Sequence, residues 1–303
     1  MSRKNLILII VLILLSAIAY IYQGPLKKWQ IKNSQVSNFL SEIDVNKVNK
    51  MEIVKDKETT NLSLNAGRWK IEGTKDFYVS AETADKMLQT LKKLSDVQLE
   101  LVSQNKDRKK DFFTDEETGV KLKLKQDDDE LVSLIIGKLA NDYASTYISR
   151  ADMDATYMAK VDAYSVFYNN NWYDKTIFAG DKTKVNKVRF QYPREEFLVE
   201  KKEEEWSIVG RNIKLNKDKI IEIVNLMSNL AATEIPEQKF VGTGLEKNLA
   251  IIQVTGENVD NTLIIGNSAD KDLVYVKKSD SDNIYLIKKT ERDKLVKQIK
   301  DLQ

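Results

Sequence analysis

The hydrophobic pattern of this chain changes period several times, and each change marks an expected element. An unbroken apolar run, Leu6 to Tyr22, comes first. At about 1.5 Å per residue it nearly crosses a hydrocarbon layer of roughly 30 Å, so a helix in lipid is expected there. Beyond it apolar and polar positions alternate with a period of two in "NLSLN" (61–65), "RWKIE" (68–72) and "VKLKLKQ" (120–126), as half-buried strands require. Between these strands Met87, Leu88, Leu91 and Leu94 recur at helical spacing, with Ser80 as a candidate N-cap. Three further strands, "LVSLIIGK" (131–138), "STYISR" (145–150) and "ATYMAK" (155–160), precede a short closing helix near Tyr164 to Tyr168.

The succession is then written a second time. "VNKMEI" at Val48 returns as "VNKVRF" at Val185, and Trp69 returns as Trp206, each 137 residues later. Ile223, Val224, Met227 and Leu230 stand opposite the four helical positions, behind Asn216 as the second N-cap. "SLIIGK" at Ser133 comes back as "TLIIGN" at Thr262, so that Gly137 matches Gly266 at 129 residues and Tyr157 matches Tyr285 at 128. A slowly shrinking offset means that the second copy has lost a few loop residues. It closes with a helix expected over Lys294 to Leu302.

The expected fold is α+β: an N-terminal transmembrane helix, then two tandem strand-rich repeats, each an antiparallel sheet with a packed helix and a short closing helix. The boundaries read as an anchor over 1–24, a juxtamembrane segment over 25–43, a first unit over 44–168, an aromatic connection over 169–183 and a second unit over 184–303. Trp69 and Trp206 are expected core anchors of equivalent units, as are Tyr157 and Tyr285. Gly137 and Gly266 end apolar strands, where glycine is expected to supply a backbone conformation or a close approach that a side chain would block. No phosphate cradle is expected, because neither copy adds further glycines and a following helix; "GTG" at Gly242 to Gly244 reads as a turn.

Two readings of the N-terminus compete. The run behind Arg3 and Lys4 is an uncleaved anchor, or a signal peptide cut after the small-residue site at Ala17 to Ala19. The anchor is preferred, since Tyr20, Tyr22, Lys27, Lys28 and Trp29 form an interfacial belt and the run stays apolar past the cut. The chain beyond it is placed outside the cytoplasm.

Charge and composition then remove several functions. Lys plus Arg number 48 against 46 Asp plus Glu, and a net charge of +2 supplies no broad field for nucleic acid. The absence of both cysteine and histidine excludes disulfides, thiolate chemistry and Cys- or His-ligated metals. No cofactor is expected, and any catalysis would rest on carboxylates, Lys, Tyr, Ser or Thr. The acidic run Asp127 to Glu130 reads as a hairpin turn, because it lacks the Gly and Glu spacing of a calcium loop. Asp152 with Asp154, and Asp280 with Asp282, fall at matching places and read as turn residues, with a cation site as the alternative.

Between the copies lies an aromatic cluster, Tyr164, Phe167, Tyr168, Trp172, Tyr173 and Phe178, beside Asn169, Asn170 and Asn171. It is either buried packing, the preferred reading, or a partner or ligand surface offered by Tyr164, Tyr168, Trp172 and Tyr173.

A hydrophobic anchor followed by two units, each running strand, Trp strand, helix, "L-I-I-G" strand and Tyr-bearing hairpin, resembles an uncharacterised bacterial family of domains of unknown function. Its members are often encoded beside gliding-type ABC transporter components. The resemblance implies a single-pass protein of the bacterial cytoplasmic membrane, N-terminus inside, with its repeats extracytoplasmic. Phe240, Gly244 and Leu245 fit the family's aromatic and Gly-Leu pattern, whereas the first copy has Phe112 and Phe113 ahead of "TDEETGV". The expected function is that of a membrane-anchored accessory protein, not an enzyme, binding a protein partner such as a transporter or cell-envelope assembly. The alternative is a glycan or small-ligand binder, or an envelope hydrolase using carboxylates, with its site between the repeats.

Overall fold

The computed structural model describes residues 35–303 apart from 37, 42, 74, 169, 170 and 248. The expected anchor at Leu6 to Tyr22, and Asn169 and Asn170, lie outside the described residues. Among the described residues no helix is long and apolar enough to cross a membrane. The chain forms two compact units, Met1–Trp69 with Ala81–Trp172, and Lys70–Ser80 with Tyr173–Gln303.

The first unit is built on a nine-stranded sheet. Its strands are β1 (Gln35–Val36), β2 (Lys50–Lys55), β3 (Glu58–Asn65), β4 (Arg68–Ile71), β5 (Leu99–Ser103), β6 (Val120–Gln126), β7 (Asp129–Leu139), β8 (Thr146–Arg150) and β9 (Thr156–Ala159). The spatial order is β1-β5-β9-β8-β7-β6-β2-β3-β4, and the last two residues of β4 count with the second unit. Period-two alternation turns Met51, Ile53, Leu122, Leu124, Leu134 and Ile136 into the core. Helix α1 (Ala81–Asp96) buries Ala84, Met87, Leu91 and Leu94 on one stripe, while α2 (Tyr164–Phe167) buries Phe167. Trp69 is buried with them.

In the second unit, β10 (Thr176–Ala179) is followed by β11 (Val185–Tyr192), β12 (Glu195–Lys202) and β13 (Glu205–Ile208). Helix α3 (Lys217–Ser228) leads into β14 (Asn229–Ala231), and β15 (Ala250–Gly256), β16 (Val259–Ser268), β17 (Leu273–Lys278) and β18 (Tyr285–Lys288) complete the sheet before α4 (Lys289–Leu295). Asn216 caps α3 as expected, its side chain accepting from the Asp218 amide at 3.1 Å. The main sheet runs β13-β12-β11-β15-β16-β17-β18, which is the order β4-β3-β2-β6-β7-β8-β9 of the first sheet. Register repeats too: Met51 faces Leu62 and Leu124, and Val188 faces Val199 and Val254. Trp206, Phe190, Val199, Val254, Ile223 and Met227 are buried.

Two features depart from the sequence-based expectations. The closing segment begins earlier: α4 covers Lys289–Leu295, its start held by the Glu291 carboxylate accepting from the Lys288 backbone N–H at 2.9 Å, and Ile299–Leu302 is a separate 3-10 turn. Leu295 and Leu302 are its buried residues, so two short anchors replace one helix. Second, β5 joins the main sheet of the first unit, whereas β14 pairs with β10 in a separate ribbon. Contact with β18 shrinks to one bridge, Glu234 with Leu286, two residues before Pro236, which has no N–H to extend a ladder.

Candidate functional site

The repeated glycines fix a loop onto the end of a strand. A Cβ on Gly137 would run into the Phe112 carbonyl oxygen and lie 2.8 Å from Thr114 Cγ2. Gly266 meets the Thr243 carbonyl oxygen in the same way, and the Asn267 amide donates to that oxygen at 2.6 Å. The residue after each carbonyl turns into the left-handed region. In the second unit it is Gly244, φ 71°. In the first it is Phe113, φ 57°, ending the 3-10 turn Lys106–Phe112 where glycine is the usual choice. Phe113 is 40% exposed, and Lys138 Nζ stands 5.2 Å from its ring centre. Just past β7, Tyr143 also adopts φ 55° and is 83% exposed. The loop of the second unit instead exposes Val241, at 96%.

 One cavity of the first unit, about 800 Å³, is lined by Phe39, Ile43, Leu131, Ser133 and Arg150 among others, and none of its charged lining residues is buried. Another, about 610 Å³, lies where the turn Lys106–Phe112 meets Ala151 to Asp154. Its wall contains Lys109, only 7% exposed, whose ammonium donates to the Met153 carbonyl at 2.7 Å. Burial pushes the Lys109 pKa down, and the nearby Asp154 carboxylate opposes that shift. Asp115 lines the same wall: burial favours its neutral form, but the Thr118 hydroxyl and the Glu117 and Thr118 amides outweigh it and hold its pKa below the usual value. Glu116 is lowered by Lys121, 2.8 Å away, and Asp152 is gripped by Arg150 at 2.7 and 2.8 Å. The wall is therefore polar, with Asp152 and Glu116 already paired to Arg150 and Lys121.

The aromatic residues singled out from the sequence do not form one surface. Tyr164 and Tyr168 stack with ring centres 4.0 Å apart, and Lys55 Nζ lies 5.1 Å from the Tyr168 ring. The Tyr168 hydroxyl donates to the Thr118 carbonyl at 2.9 Å, and burial raises its pKa to about 12. Trp172 is only 4% exposed, so its ring is packing rather than platform, as are Phe167 and Phe178. Tyr173, in the second unit, meets Phe77 edge-on at 5.2 Å. Tyr157 packs against Phe39 at 5.6 Å and Tyr285 against Phe77 at 5.7 Å. Asp127 turns the β6–β7 hairpin at φ 54°. Among the described residues no group of three or more Asp or Glu is arranged to hold a metal ion. Tyr143 and Lys109 were not singled out from the sequence, and Phe113 only as part of the first copy's departure from the family pattern. A left-handed φ on an aromatic leaves no mark in a hydropathy pattern, and Lys109 sits in a charged stretch that reads as solvated.

The family model described as a domain of unknown function (DUF4340) matches residues 69–243 and again 206–303. The chain belongs to this family. The two DUF4340 matches begin at Trp69 and Trp206, the residues that mark the repeat. No curated protein and no solved structure matches the chain.

Proposed function

We propose that this DUF4340 protein is a membrane-anchored, extracytoplasmic accessory protein without catalytic activity, whose tandem modules bind a protein partner such as an ABC-type transporter or a cell-envelope assembly. One observation carries the reading: Phe113 and Tyr143 combine a left-handed backbone with exposure to solvent. That conformation costs a bulky L-residue about 1–2 kcal/mol, and neither ring recovers the cost by full burial. Local turns account for the φ of both residues, Tyr143 between paired β7 and β8 and Phe113 at the end of the turn Lys106–Phe112, but not for the exposure of their rings, and exposed aromatic surface is a mark of contact sites. The apolar run Leu6 to Tyr22 supports the anchor.

The test is photo-crosslinking of the full chain in its native membrane. A crosslinker at Tyr143 is expected to give one discrete adduct with another membrane or envelope protein, lost on Phe113→Ser, while one at exposed Lys202 gives none. Equal labelling at both positions, or an adduct indifferent to Phe113, overturns the reading. The anchor is tested by fractionation: the intact chain is expected with membranes and open to external protease, and a shortened soluble product overturns it.

A further inference from the structure

We infer that one end of the second unit docks on an anionic lipid surface, through cations that the fold gathers there and leaves unpaired. The inference rests on the membrane anchoring proposed above.

Segments distant in sequence meet at the end of the sheet where β11 turns into β12. The Tyr192 hydroxyl donates to the Lys297 carbonyl at 2.6 Å, which sets that turn against the last residues of the chain. The Asn216 amide donates to the Leu302 carbonyl at 2.7 Å and Lys219 Nζ to the Gln303 carbonyl at 2.8 Å, which adds the start of α3. Past β13 the Val209 amide still donates to the Leu198 carbonyl at 2.9 Å, so the loop before α3 runs antiparallel to β12, towards the same turn. Each segment brings positive charge: Arg194 from the turn, Arg211 and Lys214 from the loop, Lys217 from the helix, and Lys297 and Lys300 from the closing segment. Lys297 is half-buried and the others are exposed.

Among the described residues none of these cations is in an ion pair, whereas pairing is common elsewhere in the unit, as in Lys184 with Glu257, Lys187 with Glu200, Arg189 with Glu196 and Lys294 with Glu222. The acids of the same segments are Glu195, Asp218 and Asp301, and Asp301 already accepts from the Gln298 amide at 2.9 Å. The patch therefore keeps a net positive charge that the fold does not cancel. The first unit lacks the feature. Tyr78 stands for Lys214 and Ala81 for Lys217, each 136 residues earlier, and Glu82, at the place of Asp218, is paired with Lys86 at 2.6 Å. A charge field confined to one copy is not a requirement of the fold that both copies share.

The chemistry of the patch selects its occupant. Most of the cations are lysines, point charges on separate segments, without the aromatic anchor that a protein contact uses. Among the described residues both exposed aromatics, Phe113 and Tyr143, lie in the first unit. Such a field suits the dense phosphates of an anionic leaflet, which attracts basic surfaces that come within about a Debye length. The apolar run Leu6 to Tyr22 would keep the chain beside one.

Because the chain has no cysteine, one introduced thiol carries a fluorophore without background. The full-length chain, labelled at Asn212→Cys in the exposed loop, is reconstituted in phosphatidylcholine vesicles with or without phosphatidylglycerol, and quenching by spin-labelled headgroups is measured. Quenching is expected to rise at least about threefold with phosphatidylglycerol. It is expected to fall back when Lys214→Glu, Lys217→Glu and Lys300→Glu are combined, and in the parent chain at about 1 M salt, where charges are screened within about 3 Å. A label at Glu203→Cys, in the turn at the other end of β12, is expected to report no change. Equal quenching on both vesicles overturns the proposal, as does a rise that survives both charge reversal and salt or that appears equally at Glu203→Cys. Binding of soluble polyphosphate by a chain that shows no rise on phosphatidylglycerol also overturns it. Flotation with pure phosphatidylcholine vesicles reads the anchor separately: a chain left behind there, yet floated by phosphatidylglycerol in a manner lost on charge reversal, has no anchor but retains the patch.

Discussion

Gly137 and the Phe112 carbonyl oxygen are in such close contact that no methyl group fits between them, and Gly266 stands in the same relation to Thr243. The obstruction is backbone on both sides, so it cannot be relieved by a rotamer change. Gly137→Ala and Gly266→Ala are each expected to cost about 1–3 kcal/mol, as overpacking does. Gly180 is the control, because its nearest neighbour is the Asn261 side chain at 3.8 Å. Urea unfolding that shows Gly180→Ala as damaging as the other two would sink the close-approach argument.

Trp69 and Trp206 occupy the same place in two sheets of the same order, and both are buried. Truncation removes a large apolar side chain and leaves a cavity that the strands cannot close. Trp69→Ala and Trp206→Ala are each expected to lose roughly 3–5 kcal/mol. Thermal melts are the measurement, and unchanged melting temperatures in either variant would show that its ring is not a core anchor.

Phe113 invites the opposite substitution. Glycine removes a left-handed cost of about 1–2 kcal/mol and adds about 0.5–1 kcal/mol of backbone entropy, so Phe113→Gly is expected to be neutral or stabilising by up to about 1.5 kcal/mol. Loss of an aromatic ring from a fold normally destabilises it. A clear drop in urea midpoint for Phe113→Gly would mean that the ring supports the fold and is not held at a cost.

Much of this fold is legible in the sequence because strand and helix periods depend on burial, and burial is repeated. Trp69 and Trp206, Met87 and Ile223, Gly137 and Gly266 could be paired by spacing alone, and the shared strand order and register follow from those pairs. The placement of Lys70–Ser80 in the second unit was not legible, since Phe77 and Val79 read equally well as apolar residues of their own neighbourhood. Pairing of β14 with β10 was hidden for a related reason: which edge a strand joins depends on backbone groups that carry no hydropathy. The candidate site was least visible. Its distinguishing features are the exposed ring of Phe113 and the burial of Lys109, and the second arises only after Lys109 has met the distant Met153.

Lys109 yields a prediction whose sign is fixed by its surroundings. Burial disfavours the ammonium, so the folded pKa lies below the ordinary 10.5. Between those two values the unfolded chain holds more protons than the folded one, and stability therefore rises with pH across that interval. Below it the charged group is a net burden on the fold, and at its upper end the burden is gone. Lys109→Met lacks this titration, and the Met153 carbonyl loses its donor at every pH. The stability of the parent chain relative to Lys109→Met is accordingly expected to increase as pH is raised towards 10.5, with other titrations cancelling between the two. Paired urea titrations at neutral and alkaline pH measure the difference. Parent stability that falls relative to Lys109→Met as pH rises would mean that Lys109 gains more from Asp154 and the Met153 carbonyl than it loses to desolvation.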